Sequence, residues 1–593
     1  MKYRREVDGL RAIAVVPVVL LHAGFSTFSG GFVGVDIFFV ISGYLITNIL
    51  LRELEGNAFS LLRFYERRAR RILPALFFVM LACMPFAYAW MLPDDLKNFG
   101  QSLVATSLFS NNVLLALTSG YWDLTSEFKP LLHTWSLGVE EQYYIFFPIA
   151  LMLMWRFAKK GITPLLWVVL IASLLLAEWG QRVSPTPTFY MLPTRAWEIV
   201  MGALAAIYLS GDTLAKVGQS ARQALSLLGL VLIACAVLFF GRGHPSPGLS
   251  TVVPTLGAVL IILFANEGTV ANRILGHRAM VGIGLISYSI YLWHQPLLAF
   301  ARIYAVDEPS GVVSACLVLA SFVLAYVTWR FIEVPTRRST LSRRSVFVWS
   351  AVGSLAFIAV GLYLNKSYGM PWRVFSPDVK AEDIDKRIYN ERTFKFKNDA
   401  FTQPGKKKIL VLGNSFGRDF VNMTTETFDT STMEIVYRDE LGDCAQPFKS
   451  QVAQNLFNSA DVIVYASGSE SQCIKENIAF AAARNVPIFY IGTKSFGHNL
   501  NWIVRLDPRD RPNQTNVISD STLQLERDSL ARVPPQNYIS VLAVIAKNDR
   551  IPITDEAGQM ISTDRAHLTK YGAIYVGQRV LRNSRYADAI LRK

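Results

Sequence analysis

The chain has 593 residues, of which 52% are hydrophobic and 18% charged, and it carries a formal net charge of +14; its mean hydropathy is +0.30. Soluble domains carry about 25% charged residues, so this composition excludes a disordered chain, a collagen and a small disulfide scaffold, and argues against a wholly soluble enzyme. Residues 1–364 hold 28 Lys+Arg and 19 Asp+Glu, whereas residues 365–593 hold 31 and 26, so a charge-poor part is joined to a charge-rich one.

A bilayer span needs roughly 20 mainly apolar residues. Eleven runs qualify as candidates, at about 10–25, 32–51, 72–92, 135–155, 164–180, 196–210, 224–240, 252–265, 281–301, 312–332 and 346–364. A further run at about 99–117 is interrupted by Gln101, Ser102, Thr106, Ser107, Asn111 and Asn112. If that run does not cross and the N-terminus is cytoplasmic, Lys2, Arg4 and Arg5, the six Arg from Arg52 to Arg71, Arg156, Lys159, Lys160 and further pairs fall on the cytoplasmic side, 20 cations against 6. Positive charge marks the cytoplasmic side, so this split favours eleven spans, with 92–134 an extracytoplasmic loop holding an amphipathic or re-entrant piece. The first apolar run lacks a clear small-residue cleavage site and reads as a retained helix.

Ionisable residues inside spans are costly and are usually functional or paired. Arg11 and His22 lie on the first span, separated by roughly 16 Å along a helix axis; a snorkelling Arg and a packing His are the plain alternative. Next come Asp36, the cluster RFYERRARRILP at 63–74, HTWSLGVEEQYYIFFP at 133–148 with His133, Glu140 and Glu141, YLWHQP at 291–296 with His294, and RFIEVPTRR at 330–338 with Glu333. The Arg cluster is explained by topology alone, yet Arg forks also match the phosphate oxygens of a ligand such as coenzyme A. For Glu140 and Glu141 the alternative is pairing with Arg195 or another cation.

From Lys406 the pattern turns to alternating α/β, with strands at KKILVLG, DVIVYASG and PIFYIG. Residues 365–405 read as a linker or extension. Gly413-Asn414-Ser415-Phe416-Gly417 follows the first strand and places Ser415 at a strand-to-helix turn, where backbone N–H groups can stabilise an oxyanion. Asp564 stands three residues before His567, a spacing that lets the carboxylate orient the imidazole and the imidazole take the Ser proton. Asp564 as a helix cap and His567 as a surface His are the alternatives. Cys444 and Cys473 are the two cysteines of this part, and an oxidising compartment would permit a disulfide between them. Cys83, Cys235 and Cys316 lie in spans. No metal-ligand spacing appears.

The stretches Asp8-Gly-Leu-Arg-Ala-Ile-Ala, His22, Gly34-Val-Asp-Ile-Phe-Phe-Val-Ile-Ser-Gly-Tyr-Leu, Arg67-Arg-Ala-Arg-Arg-Ile-Leu-Pro, Thr134-Trp-Ser-Leu-Gly-Val-Glu-Glu-Gln-Tyr-Tyr, Ser287-Tyr-Ser-Ile-Tyr-Leu-Trp-His and Arg330-Phe-Ile-Glu-Val-Pro resemble the bacterial acyltransferase-3 family over nearly all of residues 1–340. The resemblance implies a ten-span acyltransferase core plus one connecting span, and acylation of envelope sugars from acetyl-CoA. It places the family's Arg-(ten residues)-His motif on Arg11 and His22 and its Arg-x-x-Arg motif on Arg68 and Arg71, with Arg67 and Arg70 as the other register. Residues 406–593 resemble the SGNH (GDSL-like) hydrolases, although the pentapeptide also fits the α/β-hydrolase elbow. That second resemblance puts an oxyanion hole at the Ser415 N–H and Gly468, with Asn499 as the choice for the family's Asn. The usual Asp before the Ser is here Asn414.

The expected fold is thus a polytopic all-α membrane domain (1–340), a connecting helix (341–364), an extension (365–405) and an SGNH-like α/β domain with a parallel sheet (406–593). The N-terminus is expected in the cytoplasm and the C-terminal domain in the periplasm, in a bacterial inner membrane. The expected activity is O-acetyl transfer from cytosolic acetyl-CoA, with no covalent cofactor, no metal and no nucleic-acid partner. Arg11 and the Arg cluster would hold coenzyme A, His22 would act as base or transient acceptor, and Ser415 would form an acyl-enzyme. The favoured acceptor is lipid-linked O-antigen of lipopolysaccharide, with peptidoglycan the alternative. A transporter fused to a glycan acetylesterase and a non-enzymatic scaffold are readings of other classes.

Overall fold

The structure, a computed structural model, describes residues 3–118, 124–211, 216–241, 243–376, 378–441, 444, 448, 450–467 and 473–591. The chain divides into two compact units. The first comprises Met1–Tyr88, Asn98–Arg302 and Pro309–Asn365; the second comprises Ala89–Lys97, Ile303–Glu308 and Lys366–Lys593.

The first unit is helical. Each of the eleven apolar runs forms a helix: Arg5–His22, Val33–Glu55, Leu61–Trp90, Thr134–Phe157, Ile162–Val183, Leu192–Ser210, Gln219–Phe239, Val252–Phe264, Arg278–Tyr304, Gly311–Thr328 and Arg343–Lys366. Among the described residues six helices are long and apolar enough to cross a membrane, so length and composition alone fall short of the expected ten plus one. The other five are short, as is Val252–Phe264, or carry polar side chains, as Thr134–Phe157 does with Glu140 and Glu141. The 99–117 run is two helices, Pro93–Ser107 and Asn111–Thr118. The Nδ2 of Asn111 donates to Leu131 O at 2.9 Å and to Thr134 Oγ1 at 2.8 Å, so its donor side is satisfied inside the bundle.

Helices Val33–Glu55 and Leu192–Ser210 pack closely. A Cβ at Gly43 would collide with Ile199 O and one at Gly202 with Val40 O; small residues of this kind let helix backbones approach. Beside that seam the buried Arg195 donates to Asp36 Oδ1 at 2.7 Å and to Glu198 Oε1 at 2.9 Å. Asp36 was expected among the core-site residues. The structure instead makes it one arm of an ion pair that ties these two helices, and a buried charge of this kind must be paired.

The second unit is an α/β fold. Strands β1 (Lys407–Leu412), β2 (Met433–Arg438), β3 (Val462–Tyr465), β4 (Ile488–Ile491) and β6 (Tyr538–Ile539) form one sheet in the order β2-β1-β3-β4-β6. All its pairings are parallel. Strands β5 (Thr515–Val517) and β7 (Arg550–Pro552) make a separate antiparallel ribbon. The β1 and β3 residues Ile409, Val411, Val462 and Val464 are almost fully buried, as expected for a sheet covered on both faces. Val374, Phe375, Ile384 and Tyr389 of the 365–405 segment belong to the same core. That segment is therefore packed onto the sheet and is no free tether.

Candidate active sites

In the first unit Arg11, Arg68 and Arg71 line a cavity, partly open to solvent, together with Ser42, His133, Glu140, Tyr144, Tyr288 and Tyr291. The cluster at 63–74 sorts itself by helical phase. Arg67 pairs with Glu53 at 2.7 Å, and Arg70 pairs with Glu66 at 2.9 Å and donates to Ser339 Oγ at 2.6 Å. Arg68 and Arg71, three apart on one face, point into the cavity, and Arg68 lies over the Tyr144 ring at 4.7 Å. The two registers left open by the sequence thus differ in kind: one is consumed in ion pairs, the other faces the cavity.

Glu140 enters this site as an acceptor, taking a hydrogen bond from Ser42 Oγ at 2.7 Å. Glu141, its neighbour, is buried but does not line the cavity. Neither takes Arg195, which is held by Asp36 and Glu198. Glu333 lies elsewhere too, accepting from Ser289 Oγ and from Arg337 Nη2 at 2.9 Å.

Three histidines far apart in sequence meet. His22 Nδ1 is 3.0 Å from His294 Nε2 with the rings nearly coplanar, and the His133 ring stands edge-on to His294 with centroids 5.5 Å apart. His294 Nδ1 is 2.7 Å from Tyr291 O, an atom that only accepts. The proton therefore sits on His294 Nδ1, and Nε2 accepts from His22 Nδ1–H. This places the lone pair of neutral His22 on Nε2, the form a general base requires. Of the three, His133 lines the cavity, whereas His22 and His294 stand behind it.

The second unit holds a complete Ser–His–Asp relay. Gly413, at φ +145°, passes so near Ala466 O that a Cβ would collide with it, which accounts for Gly at this turn. Asn414 caps the helix Ser415–Thr427 by accepting from Phe416 N at 2.9 Å, and its Nδ2 donates to Ser467 O at 2.8 Å. Capping is thus the work of Asn414 at this turn. Ser415 opens that helix, where the first N–H groups have no intrahelical acceptor and the dipole favours negative charge. Tyr437 OH donates to the carbonyls of Gly413 and Asn414, both at 3.0 Å. Burial pushes that phenol up to about 12, so it remains a donor at neutral pH.

His567 Nε2 lies 2.7 Å from Ser415 Oγ, and His567 Nδ1 lies 2.6 Å from Asp564 Oδ2. The other oxygen, Asp564 Oδ1, accepts from the backbone N–H of His567 at 2.8 Å and of Ala566 at 3.0 Å. Asp564 is therefore held by its own turn while it holds the imidazole. Arg565 takes φ +78° inside this turn and donates to His498 O at 3.0 Å; burial lowers its guanidinium below the usual range.

Of the oxyanion candidates, the Ser415 N–H stands at the helix start, and Gly468 lies outside the described residues. Asn499 requires a correction. It is fully buried, its Nδ2 donates to Ile303 O at 2.9 Å and to Ala305 O, and its Oδ1 accepts from Asn501 N at 2.9 Å. Its amide is spent on holding the 303–308 segment. Cys444 and Cys473 form a disulfide with Cα atoms 5.2 Å apart. Among the described residues no cluster of His, Cys, Asp or Glu could hold a metal.

Sequence reasoning missed Asp419, Lys494 and Asn390. Asp419 follows Ser415 by four residues, so helical spacing alone puts it under the nucleophile. Lys494 and Asn390 come from distant segments and carried no local signal.

A family model described as an acyltransferase domain (Acyl_transf_3) matches residues 4–330. The peptidoglycan O-acetyltransferase OatA of Listeria monocytogenes serovar 1/2a is 33% identical over 352 residues, which is 57% of this chain and 56% of that protein. The O-acetyltransferase OatA of Staphylococcus aureus strain NCTC 8325 / PS 47 is 29% identical over 349 residues, 57% of this chain and 58% of that protein. The chain thus spans less than two thirds of the length of these relatives. No solved structure matches it. Its apolar helices make it a multi-pass membrane protein, and it belongs to the acyltransferase-3 family, with a C-terminal α/β unit that carries a Ser–His–Asp relay.

Proposed function

We propose that the protein is an O-acetyltransferase that moves an acetyl group from acetyl-CoA to a sugar hydroxyl of an envelope glycan. Peptidoglycan is the acceptor best supported, because a relative matched over half of the chain bears that activity in its name. The observation that carries the reading is the Ser415–His567–Asp564 relay, at 2.7 and 2.6 Å, in a chain whose membrane unit belongs to an acyltransferase family.

The N-terminus lies in the cytoplasm and the second unit outside it. Arg11, Arg68 and Arg71 grip the phosphates of coenzyme A, as bidentate Arg–phosphate pairs do. His22, as transient acceptor, takes the acetyl group from the thioester while coenzyme A leaves as its thiolate and then passes it to Ser415; as a base, it instead deprotonates the acceptor that does so. Ser415 Oγ then attacks the acetyl carbonyl while His567 Nε2 takes its proton and Asp564 steadies the imidazolium. The oxyanion faces the Ser415 N–H at the helix start. In the second half His567 deprotonates the sugar hydroxyl, which displaces Ser415 and leaves as the acetyl ester. The sugar must reach the acyl-enzyme before water does.

The test is ester-linked acetate on purified peptidoglycan and on purified lipopolysaccharide, from cells with and without the protein. Acetate on peptidoglycan that depends on the protein supports this acceptor. Acetate on lipopolysaccharide alone would return the acceptor to O-antigen. Net loss of glycan acetate on expression, with Arg11 and His22 dispensable, would turn the reading into an esterase.

A further inference from the structure

Beneath the Ser–His–Asp relay lies a second polar group that none of its chemistry uses. Asp419 is on the nucleophile's own helix, one turn after Ser415, and is fully buried. Its Oδ2 accepts from Lys494 Nζ at 2.9 Å and from the backbone N–H of Leu568 at 3.2 Å. Its Oδ1 accepts from Asn390 Nδ2 at 2.7 Å. The same Asn390 Nδ2 donates to Ser415 O at 3.2 Å, and Asn390 Oδ1 accepts from Arg418 Nε. Leu568 is the residue after the base and Ser415 is the nucleophile. One carboxylate therefore reaches both sides of the Ser415–His567 hydrogen bond, at Leu568 N–H directly and at Ser415 O through Asn390.

We propose that Asp419, held by Lys494 and Asn390, is the positioning residue that fixes the Ser415–His567 register, and that the segment before the sheet completes the active centre by supplying Asn390. This rests on Ser415 being the nucleophile. Asp419 has the acceptor capacity for the work, because an ionised carboxylate offers about four lone-pair sites and here serves three donors. Lys494 neutralises it, and its Nζ sits 3.6 Å over the Phe416 ring, so the cation is fixed on a residue adjoining Ser415. An amide in place of Asp419 keeps one acceptor oxygen and cannot serve Lys494, Leu568 and Asn390 together. Removing either charge alone strands the other in the interior, which destabilises strongly; removing both does not.

The test uses full-length protein in detergent and a fluorophosphonate that labels activated serines. The limiting labelling rate and the half-saturating concentration are measured apart, alongside the melting temperature of the second unit. The paired variant Asp419→Asn with Lys494→Gln, and separately Asn390→Ala, are expected to melt near wild type. Their limiting rates are expected to fall on the order of 10- to 100-fold with half-saturation unchanged. A purely structural pair gives wild-type rates in the paired variant, and that result overturns the positioning role. If the paired variant does not fold, Asn390→Ala decides alone, and a wild-type rate there also overturns it. Equal labelling of wild type and Ser415→Ala fails differently: it removes the nucleophile assignment, and with it the proposal.

Discussion

His22 and His294, 272 residues apart in the chain, share a hydrogen bond of 3.0 Å. The Tyr291 carbonyl behind His294 dictates its direction. Replacing His294 by Phe removes the acceptor that fixes the His22 tautomer. Under the proposed function His294→Phe should lower glycan acetylation on the order of 10²-fold at unchanged membrane abundance. His294→Gln, which can still accept, should lose less. Wild-type acetylation by His294→Phe would show that His22 is oriented by something else.

The four adjacent arginines should respond unequally. Arg68→Ala and Arg71→Ala should weaken binding of acetyl-CoA to the full-length protein by about tenfold each, as loss of a charge-assisted contact does. Arg67→Ala, whose partner Glu53 lies outside the cavity, should stay within about twofold, since a half-exposed ion pair contributes little. Isothermal titration of the three variants checks this, and uniform weakening would mean that only bulk charge matters.

A pH effect follows from Glu434. Burial raises its carboxyl, but hydrogen bonds from Thr402 N, Gln403 N and Thr402 Oγ1 outweigh this and hold it below the usual carboxylate range. A depressed carboxyl stabilises above its unfolded pKa of about 4.3, and that contribution is lost as pH falls through the folded value. Glu434→Gln should thus destabilise the second unit by about 1–3 kcal/mol at pH 7 and by progressively less below about pH 4. Thermal melts across pH 3–7 report it; a constant gap would refute it.

The Cys444–Cys473 disulfide closes a 29-residue separation. Its removal by Cys444→Ser with Cys473→Ser should cost about 2–4 kcal/mol, read as a lower denaturant midpoint of the second unit. Reductant should reproduce the loss in wild type and leave the variant unmoved.

The parts written in local sequence were the parts that could be read. Ser415 at a strand-to-helix turn, Asp564 three residues before His567, and the buried strand at 407–412 each follow from spacing and pattern. The eleven apolar runs also mapped one to one onto helices. What failed depended on side-chain partners. Asp36 looked like a site residue because its partner, Arg195, is 159 positions away. Asn499 looked like an oxyanion donor because nothing local reveals that the 303–308 backbone takes its amide. The choice between Arg68/Arg71 and Arg67/Arg70 depends on where Glu53 and Glu66 lie, and the Asp419–Lys494 pair on strand order. Gly468 lies outside the described residues.

The most direct measurement is ester-linked acetate on purified envelope glycan from cells carrying wild type, His22→Ala or Ser415→Ala, with each protein present at equal abundance. Transfer that uses both units requires acetate to disappear in both variants. Full acetylation by Ser415→Ala would contradict it and leave the second unit outside the reaction.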